Sequence, residues 1–113
     1  MTNIEIDRRL ALAIGYTADR VRKNKYFDIV EVLNNEGLRI EGPIHFDGWQ
    51  RFDHTDPAVI WPIAERFDAF PLSVSPVGKW RVFPRGSLIC AALHKVAATA
   101  SALAVIAYVK GTK

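Results

Sequence analysis

The sequence predicts an α+β domain in which an antiparallel sheet of four to five strands is packed with three helices. Helix-capping patterns occur near the beginning and in the middle of the chain, and an apolar, alanine-rich stretch closes it. Between them, β-branched and aromatic runs separated by turn residues form two hairpin patterns. With 113 residues, 50% apolar and 24% charged, the chain has the size and composition of one globular domain. We therefore expect residues 1–113 to form a single α+β domain.

The first helix is predicted over Asn3 to Ile14. Thr2 and Glu5 have the spacing of a capping box, in which both side chains satisfy backbone N–H groups at a helix start. Apolar residues then recur at helical spacing, and Gly15 can adopt the left-handed conformation that ends many helices. The polar stretch 16–25 is interpreted as a connector.

Two hairpins are predicted from the β-branched and aromatic runs. The first pairs FDIVEVL, residues 27–33, with LRIE, residues 38–41, across a loop that ends in glycine. The second pairs LSVS with KWRVF across residues 76–78. A short extended piece is also expected from Trp49 to Phe52.

A second helix is predicted to begin at Asp56 and Pro57, since aspartate is a good N-cap and proline suits the first helical position. Pro62 removes a backbone hydrogen bond one turn further in, so we expect a distorted first turn or a regular helix that begins at Trp61. Pro71 is expected to end the segment. The expected buried stripe consists of Ile60, Ile63, Ala64 and Phe67.

The closing stretch LICAALHKVAATASALAVIAYVKG, residues 88–111, contains no carboxylate, and its basic side chains are His94, Lys95 and Lys110. A membrane span would place Lys95 near its middle, at a cost of about 2.5–3.5 kcal/mol. A single helix over 88–110 would be about 34 Å long and apolar on nearly every side, more than so small a domain can cover. The fit of size therefore favours a strand followed by a helix.

Three segments share a pattern with a known family: MTNIEIDRRLALAIGY, DPAVIWPIAERF and ATASALAVIAYVKG. They resemble the opening helix, middle helix and closing segment of small phage-encoded proteins of the phage ABA-sandwich domain family. By this resemblance, Leu88 to about Lys95 would be a strand and Thr99 to Lys110 a helix capped by Thr99. The resemblance also implies a phage origin, and it implies no reaction and no catalytic residues.

Charge is divided unevenly along the chain. Residues 1–25 carry six basic and three acidic side chains, residues 26–70 carry three basic and nine acidic, and residues 71–113 carry six basic and none acidic. Such a division can steer a charged partner, although folding can mix the segments on one surface. Cys90 is the only cysteine, which excludes a disulfide framework and fits a reducing compartment. Since no secretory signal is visible, we expect a cytoplasmic protein of the bacterial host cell, without membrane association.

A cluster of imidazoles and carboxylates lies within twelve residues: His45, Asp47, Asp53, His54 and Asp56. Such groups can bind zinc or another metal, or act as general acid and base. Their spacing matches no metal motif, and Asp56 is already assigned as a helix cap, so a polar surface loop is the favoured interpretation. We predict no metal, no cofactor and no catalytic residue. The alternative is a small metal-dependent or hydrolytic enzyme centred on His45 and His54.

Four basic residues precede two aromatic ones, Tyr26 and Phe27; the basic residues are Arg20, Arg22, Lys23 and Lys25. Such a pattern can hold phosphates while the rings stack on bases, which makes these four residues candidates for nucleic-acid binding. The favoured alternative is a solvated connector followed by core aromatics that begin a strand.

Trp61 lies at the edge of the polar face of the second predicted helix, beside Glu65 and Asp68. A large aromatic has little reason to lie there unless it covers a loop or meets a partner. With Trp49 and Phe52 from the nearby loop, these residues form the predicted partner-binding patch. Alternatively, Trp49 folds back over the sheet edge.

Together these features favour a small phage protein that works by binding. We expect a non-catalytic inhibitor of a host defence system, anti-CRISPR-like in action, that occludes a host or phage protein complex stoichiometrically, with a nuclease-based immune complex as a reasonable target. A nucleic-acid-binding phage accessory protein is a further alternative, and direct contact with nucleic acid is the less favoured mode. The sequence is compatible with a monomer or a homodimer.

Overall fold

The structure is a computed structural model that describes residues 2–24, 26–33, 48–74, 78–86 and 92–111. Within these residues the chain forms three α-helices and six short strands. The helices are α1 (Asn3–Ala13), α2 (Pro57–Phe67) and α3 (Ala97–Gly111). The strands are β1 (Val21–Lys23), β2 (Val30–Leu33), β3 (Trp49–Phe52), β4 (Pro71–Val74), β5 (Trp80–Val82) and β6 (Ala92–His94). The α+β class and the three helices are as the sequence predicts.

The strands form two antiparallel sheets of three strands each, in the orders β1-β2-β3 and β4-β5-β6. The prediction of one sheet with four to five strands is therefore wrong. The reason lies in chain order, because β1 to β3 precede α2 and β4 to β6 follow it, and each group pairs within itself. We call these sheet A and sheet B.

The first helix begins where the sequence predicts and ends one residue earlier, at Ala13, and the Thr2 half of the predicted capping box is confirmed. Thr2 is the N-cap, its hydroxyl accepts a hydrogen bond from the Glu5 backbone N–H at 3.2 Å, and Gly15 follows the helix with φ of 120°. The connector predicted over 16–25 instead contains a 3₁₀ turn and strand β1. This strand escapes prediction because it is short, polar and exposed at two of its three positions, as befits the edge of a sheet.

The two predicted hairpins have different outcomes. β4 and β5 pair as expected, with Val74 opposite Trp80. In the first hairpin, β2 begins only at Val30, and its neighbours are β1 and β3; the strand expected over 38–41 lies outside the described residues. The extended piece predicted at Trp49–Phe52 is confirmed as β3.

The second helix begins where the sequence places it, with the Asp56 carboxylate accepting from the Ala58 N–H at 3.0 Å. Contrary to expectation, α2 runs from Pro57 through Pro62 as one helix. Pro62 has no N–H group, so the Ala58 carbonyl lacks its helical hydrogen bond. Because Ala58 is exposed, water can donate a hydrogen bond to this carbonyl instead. α2 ends at Phe67, before Pro71, because Asp68 turns left-handed with φ of 50°. The predicted buried stripe is confirmed.

In the closing stretch, a strand (Ala92–His94) is followed by a helix, as predicted; the first part of the predicted strand, residues 88–91, lies outside the described residues. α3 begins at Ala97, so Thr99 is not its cap but a buried residue of its first turn. The His94 imidazole accepts a hydrogen bond from the Val96 N–H at 3.0 Å just before the helix. Within the described ranges, no helix combines the length and hydrophobicity that a membrane crossing requires.

The core is centred on α3. Small residues on this helix, Ala100, Ala102 and Ala104, are fully buried and leave room for close neighbours. α3 packs against α1, α2 and all three strands of sheet B, while α1 also packs on β1 and β2 of sheet A. The contact between α1 and α3 therefore joins the two halves of the fold.

Candidate functional site

The turn between β1 and β2, residues 24 and 26–29, is ordered by one side chain. The amide oxygen of Asn24 accepts hydrogen bonds from the backbone N–H groups of Tyr26 at 2.8 Å and Phe27 at 3.1 Å. The Asn24 N–H donates to the Ile29 carbonyl at 2.9 Å. Asparagine is favoured in turns for this kind of bond to the backbone. We call this segment the aromatic turn.

The two rings of the aromatic turn are both largely exposed. Tyr26 is 79% exposed and Phe27 is 67% exposed. The favoured prediction, that they are core aromatics beginning a strand, is wrong, because β2 starts only at Val30. Two large, exposed aromatic side chains on an ordered turn are unusual on a surface without a partner, since burying either ring is worth about 1.5–3 kcal/mol.

Beneath the turn lies a buried carboxylate. The side chain of Glu31 on β2 is only 3% exposed, and its Oε1 accepts from Arg22 Nε and from Asn24 Nδ2, both at 3.1 Å. The Arg22 guanidinium lies over the Trp49 ring, 4.0 Å from its centroid. The register places Arg22, Glu31 and Arg51 in a row across sheet A. The Asn24 side chain thus connects the sheet to the turn, because its amide nitrogen donates to Glu31 and its amide oxygen accepts from the turn.

Two clefts flank Tyr26. The smaller, of about 240 Å³, is lined by Arg22, Lys23, Asn24, Tyr26 and Glu31, and we call it the Arg22 cleft. The larger, of about 500 Å³, is lined by Lys23, Asn24, Tyr26, Phe27 and Asp28. Tyr26 therefore forms a wall common to both.

Among the described residues, the charges around the turn are balanced. In the described parts of 17–33 and 48–53, the cations are Arg20, Arg22, Lys23 and Arg51, and the anions are Asp19, Asp28, Glu31 and Asp53. Lys23 pairs with Asp28 at 3.2 Å, and both side chains are largely exposed. Of the four residues predicted to bind nucleic acid, Lys25 lies outside the described residues, and the other three share their surface with carboxylates. A polyanion gains little from such a neutral surface.

The predicted partner-binding patch is divided by the fold. Phe52 is fully buried with its ring edge-on to Tyr16, so it has no surface to offer a partner. Trp49 lies under Arg22, whereas Trp61 is half-buried and stacks on Phe70 with centroids 6.1 Å apart. Glu65 and Asp68 are exposed as expected. Phe70 is exposed and extends the apolar surface beside Trp61, which the sequence did not predict.

His54 does not lie in a polar surface loop; it is fully buried. The Asp7 carboxylate of α1 accepts from the His54 backbone N–H at 2.7 Å and lies 2.5 Å from its Nδ1, while Nε2 lies 3.0 Å from the Thr99 hydroxyl of α3. One residue therefore ties the loop before α2 to both α1 and α3.

The arrangement of carboxylate, imidazole and hydroxyl has the connectivity of a hydrolase triad. Thr99 is only 4% exposed, however, which puts its hydroxyl out of reach of a substrate. Asp7, Asp53 and His54 each offer a possible metal-ligand atom within 4.8 Å of the others. Since both nitrogens of His54 already face hydrogen-bond partners, a metal would have to displace one of them. We interpret the group as a structural network; His45 and Asp47 lie outside the described residues.

Asp53 is held by its own turn. Its carboxylate accepts from the Thr55 hydroxyl at 2.6 Å and the Thr55 N–H at 2.9 Å, and it pairs with Arg51 at 3.2 Å. Burial alone would raise the pKa of Asp53, but these bonds and the neighbouring positive charge outweigh it, and the pKa is lowered.

No family model matches this chain, and comparison with curated proteins and with solved structures finds no similar protein. The phage ABA-sandwich resemblance therefore stays a prediction. The aromatic turn is the site for which the described geometry makes the strongest case. The sequence pattern predicts that both rings lie in the core; Asn24, a turn asparagine shortly before two aromatic residues, is the local signal that favours their exposure.

Proposed function

We propose that this protein is a non-catalytic binding protein whose main contact is the aromatic turn. The observation that carries the proposal is the exposure of Tyr26 and Phe27, 79% and 67%, on a turn that is already ordered. Rigid aromatic anchors dominate the energetics of many protein interfaces, and preordering lowers the entropy cost of binding.

A protein partner is favoured over nucleic acid by the charges. Among the described residues around the turn, four cations are matched by four carboxylates, which offer a phosphate backbone little net charge. By contrast, tyrosine, tryptophan, phenylalanine and arginine are the residue types enriched in protein interfaces, and Tyr26, Phe27, Arg22 and Trp49 lie on or beside the turn.

We further propose that the partner is a host defence complex, with a nuclease-based immune complex as the first candidate, which the protein blocks by occlusion. This step rests on the resemblance to phage proteins and on the small size of the chain. It predicts inhibition that becomes complete near one protein molecule per binding site.

The test is affinity capture with the full chain from lysates of bacteria that express such complexes, read by quantitative mass spectrometry. The double variant Tyr26→Ser/Phe27→Ser should lower capture about 30-fold, as expected for the loss of about 2 kcal/mol of contact energy. Leu72→Ser is the matched control, since Leu72 is as exposed as Phe27 but lies on β4. Circular dichroism should show that both variants fold.

Capture that is equal for wild type and the double variant would exclude the aromatic turn as the contact. Purified nuclease complex that still cleaves DNA at full rate with excess protein would exclude the proposed target while leaving the binding site in place.

A further inference from the structure

We propose that a cleft beside the aromatic turn binds a lysine side chain of the partner protein. The cleft has a volume of about 290 Å³ and lies between the start of α1, the end of the aromatic turn and the loop after β3. We call it the Asp7 cleft. The inference rests on the proposed function, because Asp28 and Ile29 of the aromatic turn line this cleft, so a partner that contacts the turn lies next to it.

Asp7 supplies a carboxylate oxygen that no residue of the protein uses. Its side chain is only 6% exposed, and its Oδ1 accepts from both the backbone N–H and the Nδ1 of His54. No described residue donates to Oδ2, although the side chain lines the cleft. A neutral His54 ring makes both of its bonds, donating from Nδ1 and accepting at Nε2 from Thr99, so the network leaves the charge on Asp7. A nearly buried carboxylate with an unused oxygen favours a cationic donor in the cleft.

The described lining of the cleft is negative overall. It contains three carboxylates and one guanidinium, those of Asp7, Asp28, Asp53 and Arg51. Arg51 pairs with Asp53 at 3.2 Å, and Asp28 pairs with Lys23, which lies outside the lining. Counting both of these cations still leaves one negative charge, that of Asp7. An anionic ligand is therefore disfavoured.

An ammonium group fits this site better than other cations do. A guanidinium binds a carboxylate best through two parallel N–H bonds, which need both oxygens, and at Asp7 only Oδ2 is open. Calcium and magnesium take about six or more oxygen ligands, whereas an ammonium group can use single acceptors. Asp53 has a carboxylate oxygen within 4.8 Å of one of Asp7, close enough to add its charge. Ile4 and Ile29 are half-buried in the lining and can cover the aliphatic stem of a lysine.

The experiment is selection of a random peptide display library on the immobilised full chain, followed by affinity measurement on the enriched peptides. Wild type should enrich peptides in which a lysine accompanies an aliphatic or aromatic residue that contacts the aromatic turn. Replacing that lysine by norleucine, which keeps the stem and removes the charge, should weaken binding about 10-fold.

Variants of the protein locate the lysine site. Asp7→Asn keeps an oxygen for His54 and places an amide N–H group in the position of the unused oxygen, so it should weaken the lysine peptides about 10-fold and leave their norleucine forms unchanged. Asp28→Asn, at an exposed lining position, should weaken the lysine peptides about threefold. Asp19→Asn is the matched control, since Asp19 is exposed and lies outside the lining. Circular dichroism checks the folding of each variant, and the norleucine comparison tests the proposal even if Asp7→Asn does not fold.

Peptides that depend on Tyr26 and Phe27 but bind equally well with norleucine would overturn the inference and leave the proposed function standing. A library that enriches nothing, or only peptides indifferent to the aromatic turn, would overturn both. Binding of cadaverine alone as tight as that of the lysine peptides would overturn the partner lysine, in favour of a free amine.

Discussion

Two hydroxyl groups on α3 lie two residues apart and have opposite surroundings. The Thr99 hydroxyl is bonded to the His54 ring, whereas Ser101 Oγ is fully buried with no hydrogen-bond partner among the described residues. A buried polar group without a hydrogen-bond partner lowers stability. Removing the partner of a buried group that has one lowers stability in the same way. The two positions therefore form a matched pair for testing the network.

We expect Thr99→Val to lower the free energy of unfolding by about 1–3 kcal/mol, because the buried His54 nitrogen loses its partner. Ser101→Ala should leave it unchanged or raise it by up to about 1 kcal/mol, since alanine removes the unsatisfied hydroxyl and is the better helix former. Urea unfolding of both variants measures the difference. Equal destabilisation by the two substitutions would contradict a specific role for Thr99.

At the residue scale, the sequence identified His54 as noteworthy but placed it wrongly. Its neighbours Asp53, Thr55 and Asp56 are polar, which suggested a surface loop. Its actual partners are Asp7, 47 positions away, and Thr99, 45 positions away. A side chain whose environment is set by such distant residues cannot be located from local pattern.

At the element scale, the aromatic turn depends on Asn24, which accepts from two backbone N–H groups and donates to Glu31. Asn24→Ala removes all three bonds, so the amides of Tyr26 and Phe27 should lose protection from hydrogen exchange, and stability should fall by about 1–2 kcal/mol. NMR hydrogen exchange and urea unfolding measure the two effects.

Asn24→Asp separates the two roles of this side chain. The aspartate keeps the acceptor for the turn, so the turn amides should stay protected, but it loses the donor and places a second carboxylate beside Glu31. Stability should therefore fall as in Asn24→Ala. If both variants leave the turn amides equally protected, Asn24 does not order the turn.

Elements with strong local signals were predicted well. The caps at Thr2 and Asp56, Gly15 and the β4–β5 turn each act within a few residues, and α1, α2 and the second hairpin followed. β1 was missed because its stability comes from pairing with β2 and not from its own composition. The predicted distortion at Pro62 is wrong because the free-energy cost of the missing hydrogen bond depends on whether water reaches the Ala58 carbonyl. The sequence does not reveal that exposure.

For the whole molecule, the lowered pKa of Asp53 has a consequence for stability against acid. A carboxyl group whose pKa is lower in the folded than in the unfolded state stabilises the fold above its ordinary pKa, and this contribution is lost as the pH falls through the folded-state value. We expect Asp53→Asn to be less stable at pH 7 and to lose less stability than wild type as the pH falls below about 4.

Thr55→Ala, which removes the 2.6 Å bond but keeps the backbone N–H bond, should reproduce part of that change. Urea unfolding across the acid range provides the measurement. Parallel pH profiles for wild type and Asp53→Asn would show that the pKa of Asp53 is not lowered in the folded state.

The number of sheets is also a property of the whole molecule, and the sequence did not determine it. Each strand shows local β propensity, but whether six short strands join into one sheet depends on where α2 interrupts the chain and on which strands reach each other. The exposure of Tyr26 and Phe27 could not be predicted for a related reason. The residues next to an aromatic side chain in the sequence do not show whether other parts of the fold cover its ring.

The contact of α1 with α3, and of Asp7 with Thr99 through His54, joins a helix near the start of the described chain to the helix near its end. During synthesis, α1 leaves the ribosome long before the helix that covers it has been translated. Ile6 and Leu10, buried in the finished fold, stay open to chaperones and proteases for that interval. We therefore expect the nascent chain to become protease-resistant only after α3 has emerged from the ribosome.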